Sequence, residues 1–250
     1  MNEPEPPTAS PPEAAAVLSE VRRSLEDLLL FEGRWFVTPA EAAGDREPAP
    51  GAAAELAAFH DEICQCTRCP LGHTRTRFVF GSGDPEAGIM FVGEAPGEEE
   101  DRQGLPFVGA AGQLLTRIIE AIELSREEVY ICNVLKCRPP GNRDPLPEET
   151  AACDPWLTSQ IEIIDPKVIV TLGRHSLQRF LPGAAISKAH GQPRQVEGRT
   201  VMPVHHPAAA LYQQSLRATI EADFKKIPDL IAQTAEVKPA EQEPKQLGLF

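Results

Sequence analysis

Apolar residues are spaced in two ways along the middle of the chain. Short runs at Ile89–Val92, Val129–Val134, Val168–Leu172 and Thr200–Val204 are apolar at nearly every position, the pattern of strands covered on both faces. Between and after them the spacing changes to a helical period, which predicts helices over Ala111–Ile122, Pro147–Ile164, Arg174–Leu181 and Leu216–Leu230. Helical crossovers between consecutive strands favour a mostly parallel sheet, so the fold class expected is α/β, with a four-stranded sheet between two helical layers. Such sheets gather ligands at the carboxyl ends of their strands. Gly93–Gly97 follows the first strand, Asn133 closes the second, and His205 and His206 follow the last.

Upstream, residues 1–10 are low in complexity, Pro11–Phe31 carries leucines and valines at helical spacing, and Thr38–Ala54 reads as a linker leading to a short helix over Glu55–Cys64. Beyond Ala232 the chain turns polar and finishes in QLGLF. Three regions result: an acidic extension over residues 1–54, a domain over 55–232, and a flexible tail over 233–250. No internal repeat is apparent.

Charge bears on partners. The net −13 disfavours nucleic acid at first sight, but residues 1–62 carry −9 of it and residues 63–230 only −3. The central domain can therefore still present a basic face. The N-terminus is acidic and proline-rich, and no run of eighteen apolar residues occurs, so a cytoplasmic protein is expected.

In a reducing compartment six cysteines suit metal or cluster ligation better than disulfides. Cys66 and Cys69 form a C-x2-C pair, and Cys137 and Cys153, sixteen residues apart, complete a set of four. Spacing alone leaves open an iron-sulfur cluster, zinc or unrelated buried thiols. Cys132, inside an apolar strand, reads as core, and Cys64 competes with Cys66 as partner of Cys69.

Several short motifs remain: GEAPGEEED from Gly93, GLPFVG around Phe107, NVLKCRPPGNRDPLPEE from Asn133, and HPAAAL from His206. Each has an ordinary structural alternative: Phe107 as core, Asn133 as a strand-end cap, His206 as a turn residue, the acidic run as a solvated helix start. Together and in this order they closely resemble the family 4 uracil-DNA glycosylases, over roughly Cys66–Leu230. That resemblance implies an α/β/α sandwich carrying one [4Fe-4S] cluster on Cys66, Cys69, Cys137 and Cys153. It also implies hydrolysis of the N-glycosidic bond of deoxyuridine in DNA, leaving an abasic site for base excision repair.

A glycosylase of this kind must extrude the nucleotide to reach its bond. By the resemblance, Phe107 stacks on the flipped base and Asn133 pairs with uracil O4 and N3–H, a pattern that cytosine reverses. His206 donates to uracil O2 as the base leaves with negative charge. Glu94 steadies the cationic sugar or orients water, and Ala95 lines the uracil site where other branches carry a carboxylate. Gly97 leaves space where a tyrosine elsewhere excludes thymine. Leu211 and Tyr212 are candidates for the wedge that fills the vacated stack. Lys136, Arg138 and Arg143 either meet phosphates or form a solvated loop.

Two other readings compete with this one. A related branch attaches covalently to DNA through a histidine in a basic insertion, but Asn133–Cys153 contains neither. The other is a non-catalytic cluster or zinc protein. The tail Gln246, Leu247, Leu249 and Phe250 resembles the pentapeptide by which bacterial repair proteins dock on the sliding clamp. A monomer acting on uracil-containing DNA, away from membranes, is the expected whole.

Overall fold

A computed structural model describes residues 51–236. The predicted helix over Pro11–Phe31, most of the linker and the Gln246–Phe250 motif lie outside the described residues. Strands β1 (Ser82–Gly83), β2 (Ile89–Gly93), β3 (Tyr130–Asn133), β4 (Val168–Leu172), β5 (Arg194–Val196) and β6 (Arg199–Val204) form one sheet in the order β1-β3-β2-β4-β6-β5. The central β3, β2, β4 and β6 are mutually parallel, and β1 and β5 pair antiparallel at the two edges.

The period of two within each strand divides the core. Ile89 and Phe91, Ile131, Val168 and Val170, and Met202 and Val204 face one helical layer. Met90 and Val92, Tyr130 and Cys132, Ile169 and Val201 face the other. The first layer comprises α3 (Ala110–Glu120), α8 (Ser215–Phe224) and α9 (Ile227–Glu236); Phe224 stacks on Phe91 with ring centroids 5.6 Å apart. The second comprises α1 (Ala52–Ile63), α4 (Pro147–Ile164) and α5 (Arg174–Phe180). Shorter helices α2 (Glu98–Gln103), α6 (Ile186–Ala189) and α7 (Pro207–Tyr212) complete the order. Burial on both faces is why the four central strands read as continuous apolar runs.

The expected three-layer sandwich is present, with six strands where four were expected. The two extra strands are two and three residues long and read Ser-Gly and Arg-Gln-Val, so no apolar run marks them. Their polar character suits edges, which gain by not offering an apolar ladder to another chain. Glu197 and Gly198 both have positive φ and turn β5 tightly into β6.

The single helix expected over Leu216–Leu230 is two helices, α8 and α9. Pro228 sits in the first turn of α9, where its missing N–H costs nothing, but it cannot continue a helix from upstream. At the other end the linker stops earlier than expected, because α1 begins at Ala52.

Candidate functional site

The carboxyl ends of β2, β3 and β6 open into one cavity of about 450 Å³, walled by Glu94, Ala95, Phe107, Asn133, His206, Leu211 and Tyr212 among others. All seven residues singled out for base, sugar or stack contacts thus share one wall system.

Asn133 ends β3 directly beside Gly93, its register partner on β2. Its side chain is 1% exposed, and its Oδ1 accepts no hydrogen bond within the protein. A buried amide oxygen left unpaired costs about 1–3 kcal/mol, so this atom is poised for a donor from outside. Gly93 makes the corner possible. A Cβ there would overlap Asn133 Oδ1 and lie 2.5 Å from Phe107 Cζ.

Phe107 closes the corner from a left-handed backbone, φ 51°, that phenylalanine does not choose unaided. Its neighbours impose it. Val108 and Gly109 donate their N–H groups to Glu100 Oε1 at 2.9 and 2.8 Å, and Arg126 donates to the carbonyls of Phe107 and Pro106 at 3.0 and 2.8 Å. Gly112 leaves room for the Phe107 carbonyl, which any Cβ would strike.

His206 lies against Phe107, centroids 5.7 Å apart with 29° between the planes. Its Nδ1 accepts the N–H of Ala208 at 3.1 Å, which fixes the neutral tautomer with the proton on Nε2. Enclosure lowers its pKa to about 4, only weakly opposed by Glu100. The ring is therefore a neutral donor at physiological pH.

Glu94 follows β2, half-buried, and burial holds its carboxyl above the usual glutamate range; His175 and Arg174 oppose that rise and Asp144 adds to it. His175 Nε2 lies 3.8 Å from Glu94 and 3.4 Å from Asp144. Among the described residues these three form the one group of three or more His, Cys, Asp or Glu whose ligand atoms all fall within 4.8 Å. Arg174 already occupies it, donating to His175 Nε2 at 3.0 Å and pairing with Asp144.

The cysteines gather behind Ala95. Cys69, Cys137 and Cys153 pack with Leu71, Leu135, Ala95 and Trp156, and Trp156 Nε1–H donates to Cys66 Sγ at 3.4 Å. Arg75 donates to Cys137 Sγ at 3.4 Å, and the Lys136 N–H to Cys153 Sγ at 3.4 Å. Burial pushes the Cys137 thiol up and the Cys153 thiol to about 12, and each is raised further by charge on the other cysteines of the set. Cys64 instead donates to the Asp61 carbonyl, and Cys132 is fully buried in β3.

Comparison with known proteins gives a match to the uracil DNA glycosylase superfamily over residues 80–229. The chain belongs to that superfamily. It is 50% identical over 185 residues to a type-4 uracil-DNA glycosylase of Sulfurisphaera tokodaii, covering 70% of this chain and 84% of that one. Type-4 enzymes of Archaeoglobus fulgidus and Thermotoga maritima are 51% and 48% identical, covering 68% of this chain in each case and 89% and 92% of theirs.

The acidic run after Gly97 is the helix start expected of it, with Glu98 and Glu99 exposed, but its other two acids are not simply solvated. Glu100 holds the Phe107 turn, Asp101 is buried and accepts the N–H groups of Thr76 and Arg77, and Glu98 pairs with Arg138. Of the three basic residues near Cys137, Lys136 fits neither expectation. Lys136 is 0% exposed and reaches neither phosphate nor solvent; Arg138 pairs with Glu98 and Asn142, and Arg143 makes a two-pronged pair with the buried Glu149. Glu100, Arg126 and His175 were not singled out from sequence. Only the Gly-Arg-His step after β4, at another strand's carboxyl end, signalled one of them. Leu211 and Tyr212 project from α7, 48% and 92% exposed.

Proposed function

We propose that the chain is a uracil-DNA glycosylase, which hydrolyses the bond between uracil and deoxyribose and leaves an abasic site for repair. The observation that carries this reading is the buried, unpaired Asn133 Oδ1 at the floor of a cavity bounded by an aromatic ring and a neutral histidine. Uracil offers N3–H to that oxygen and O4 to the amide N–H; cytosine offers an acceptor and a donor in the reverse order, leaving buried groups unpaired. Phe107 supports the base by its face. His206 Nε2–H donates to O2 as negative charge develops there, with no proton needing to leave the ring. Glu94 faces the sugar side, where an ionised carboxylate steadies the cation or orients water. Ala95 lines the base site, and Leu211 and Tyr212, exposed at the rim, are the wedge.

The cysteine set is read as the seat of one [4Fe-4S] cluster. Support comes from Cys69, Cys137 and Cys153 packing in one cluster, and from Arg75, the Lys136 N–H and Trp156 directed at Cys137, Cys153 and Cys66. When bound, the cluster supplies rigidity between the Cys66–Cys69 loop, the end of β3 and α4. The cleavage chemistry falls to the side chains of the cavity. Among the described residues no helix is long and apolar enough to cross a membrane. A cytoplasmic monomer, docking on the sliding clamp through Gln246, Leu247, Leu249 and Phe250, completes the reading.

The test is incubation of iron-replete protein with an oligonucleotide holding one deoxyuridine. Free uracil and an alkali-labile site are expected, and neither from the deoxycytidine counterpart. No uracil release would overturn the enzyme reading, and loss of clamp binding on deleting residues 246–250 tests the docking separately.

A further inference from the structure

The most unusual side chain in the protein is Lys136. A lysine that is 0% exposed is rare unless paired, because burying an ammonium is costly. Its Nζ donates to the carbonyl of Asn133 at 2.8 Å and to Gln160 Oε1 at 2.5 Å, and among the described residues no carboxylate pairs with it. Gln160 is buried too. Its Nε2 donates to the Phe80 carbonyl at 3.0 Å and to the Tyr130 hydroxyl at 3.2 Å, so its amide cannot turn away. The ammonium is thus anchored from α4 and grips the main chain of Asn133.

The same residue borders the cysteine set. The main-chain N–H of Lys136 donates to Cys153 Sγ, its side-chain charge acts on the Cys153 thiol, and Cys137 is the next residue. Arg75 approaches the same centre from the opposite loop, on Cys137 Sγ. Four thiolates around a cluster carry net negative charge; Arg75 meets one of them directly, and the fully buried Lys136 borders them through its main-chain N–H.

We propose that Lys136 is a positioning residue with two attachments: it is a counter-charge of the cysteine centre and the clamp that fixes the main chain of the uracil-reading Asn133. The centre behind Ala95 and the base-recognition corner are in this way one electrostatic unit. The inference rests on the uracil and cluster readings above and deepens both.

Full-length, iron-replete protein tests it with two variants, Lys136→Met and Gln160→Glu. Lys136→Met removes the charge and the clamp while keeping most of the volume. It is expected to raise the inhibition constant of free uracil about tenfold or more and to move the midpoint potential of the cluster to lower values. Gln160→Glu keeps Lys136 and sets a carboxylate beside its ammonium, at the loss of the Nε2–H bond to the Phe80 carbonyl. Its potential is expected to fall. An unmoved potential in either variant overturns the counter-charge role, and unchanged uracil inhibition in Lys136→Met overturns the clamp. If Lys136→Met fails to fold, Gln160→Glu decides alone, and an unmoved potential sinks the proposal. Wild-type protein without iron or without uracil release would instead overturn the readings beneath it.

Discussion

Substituting Gly93 by alanine adds one methyl group at the tightest point of the site. The backbone tolerates it, since Gly93 is not among the glycines with positive φ. The obstacle is space: the new Cβ would overlap Asn133 Oδ1 and stand 2.5 Å from Phe107 Cζ, against ordinary contact near 3.4 Å and beyond. Strand pairing holds Gly93 and Asn133 in register, so the Asn133 amide and the Phe107 ring must move by about an ångström. An amide so displaced forfeits both contacts to uracil, each worth about 1–3 kcal/mol. The product is a loss in kcat/KM between about 30-fold and about 25,000-fold, at 1.36 kcal/mol per decade. The assay is uracil release under single-turnover and steady-state conditions, with iron content and thermal midpoint as controls. Overpacking is expected to cost about 1–3 kcal/mol, a fall in Tm of several degrees but not unfolding. A folded Gly93→Ala protein with kcat/KM within threefold of wild type would refute the assignment of this corner to the base.

His206, with its pKa near 4, should impose no activity loss between neutrality and that value; an inflection near the ordinary 6.5 that disappears in His206→Asn would contradict its neutral-donor role. Its stability effect has a definite sign: the unfolded chain takes up the proton first, so His206 costs stability as pH falls from about 6.5 to about 4, and urea melts of His206→Asn should lack that slope. Removing His175 deletes the largest influence lowering the Glu94 pKa, so the acidic limb of kcat/KM is expected to move to higher pH in His175→Ala, and an unmoved limb argues against Glu94 as the titrating group. Glu100→Gln weakens two charge-assisted bonds that hold Phe107 at positive φ; kcat/KM is expected to drop about tenfold or more, and a wild-type value would mean the turn holds itself.

The four central strands were legible because burial on both faces leaves no polar alternation to confuse them, and β-branched residues fill them. The edge strands were not, since Ser82–Gly83 and Arg194–Val196 acquire their conformation from neighbours and not from their own composition. Pro228 stood in plain view as a helix breaker, yet the apolar spacing on either side was strong enough to mask the break. Local reasoning also failed where a side chain answers a distant segment. Glu100 and Asp101 look like a solvated acidic turn until the loops at 108–109 and 76–77 fold back on them, and Lys136 looks exposed because lysine nearly always is. The motif residues Asn133, Phe107 and His206 could be named from sequence. What could not be read there was the support that holds them: the Gly93 gap, the Arg126 fork and the Ala208 N–H that sets the His206 tautomer.

The most direct test of the uracil seat is a crystal structure of the full-length protein soaked with free uracil. The expected density lies flat against Phe107, with N3 on Asn133 Oδ1, O4 on the Asn133 amide nitrogen and O2 toward His206 Nε2. Uracil bound elsewhere, or a corner that stays empty while the crystals are saturated, would contradict it.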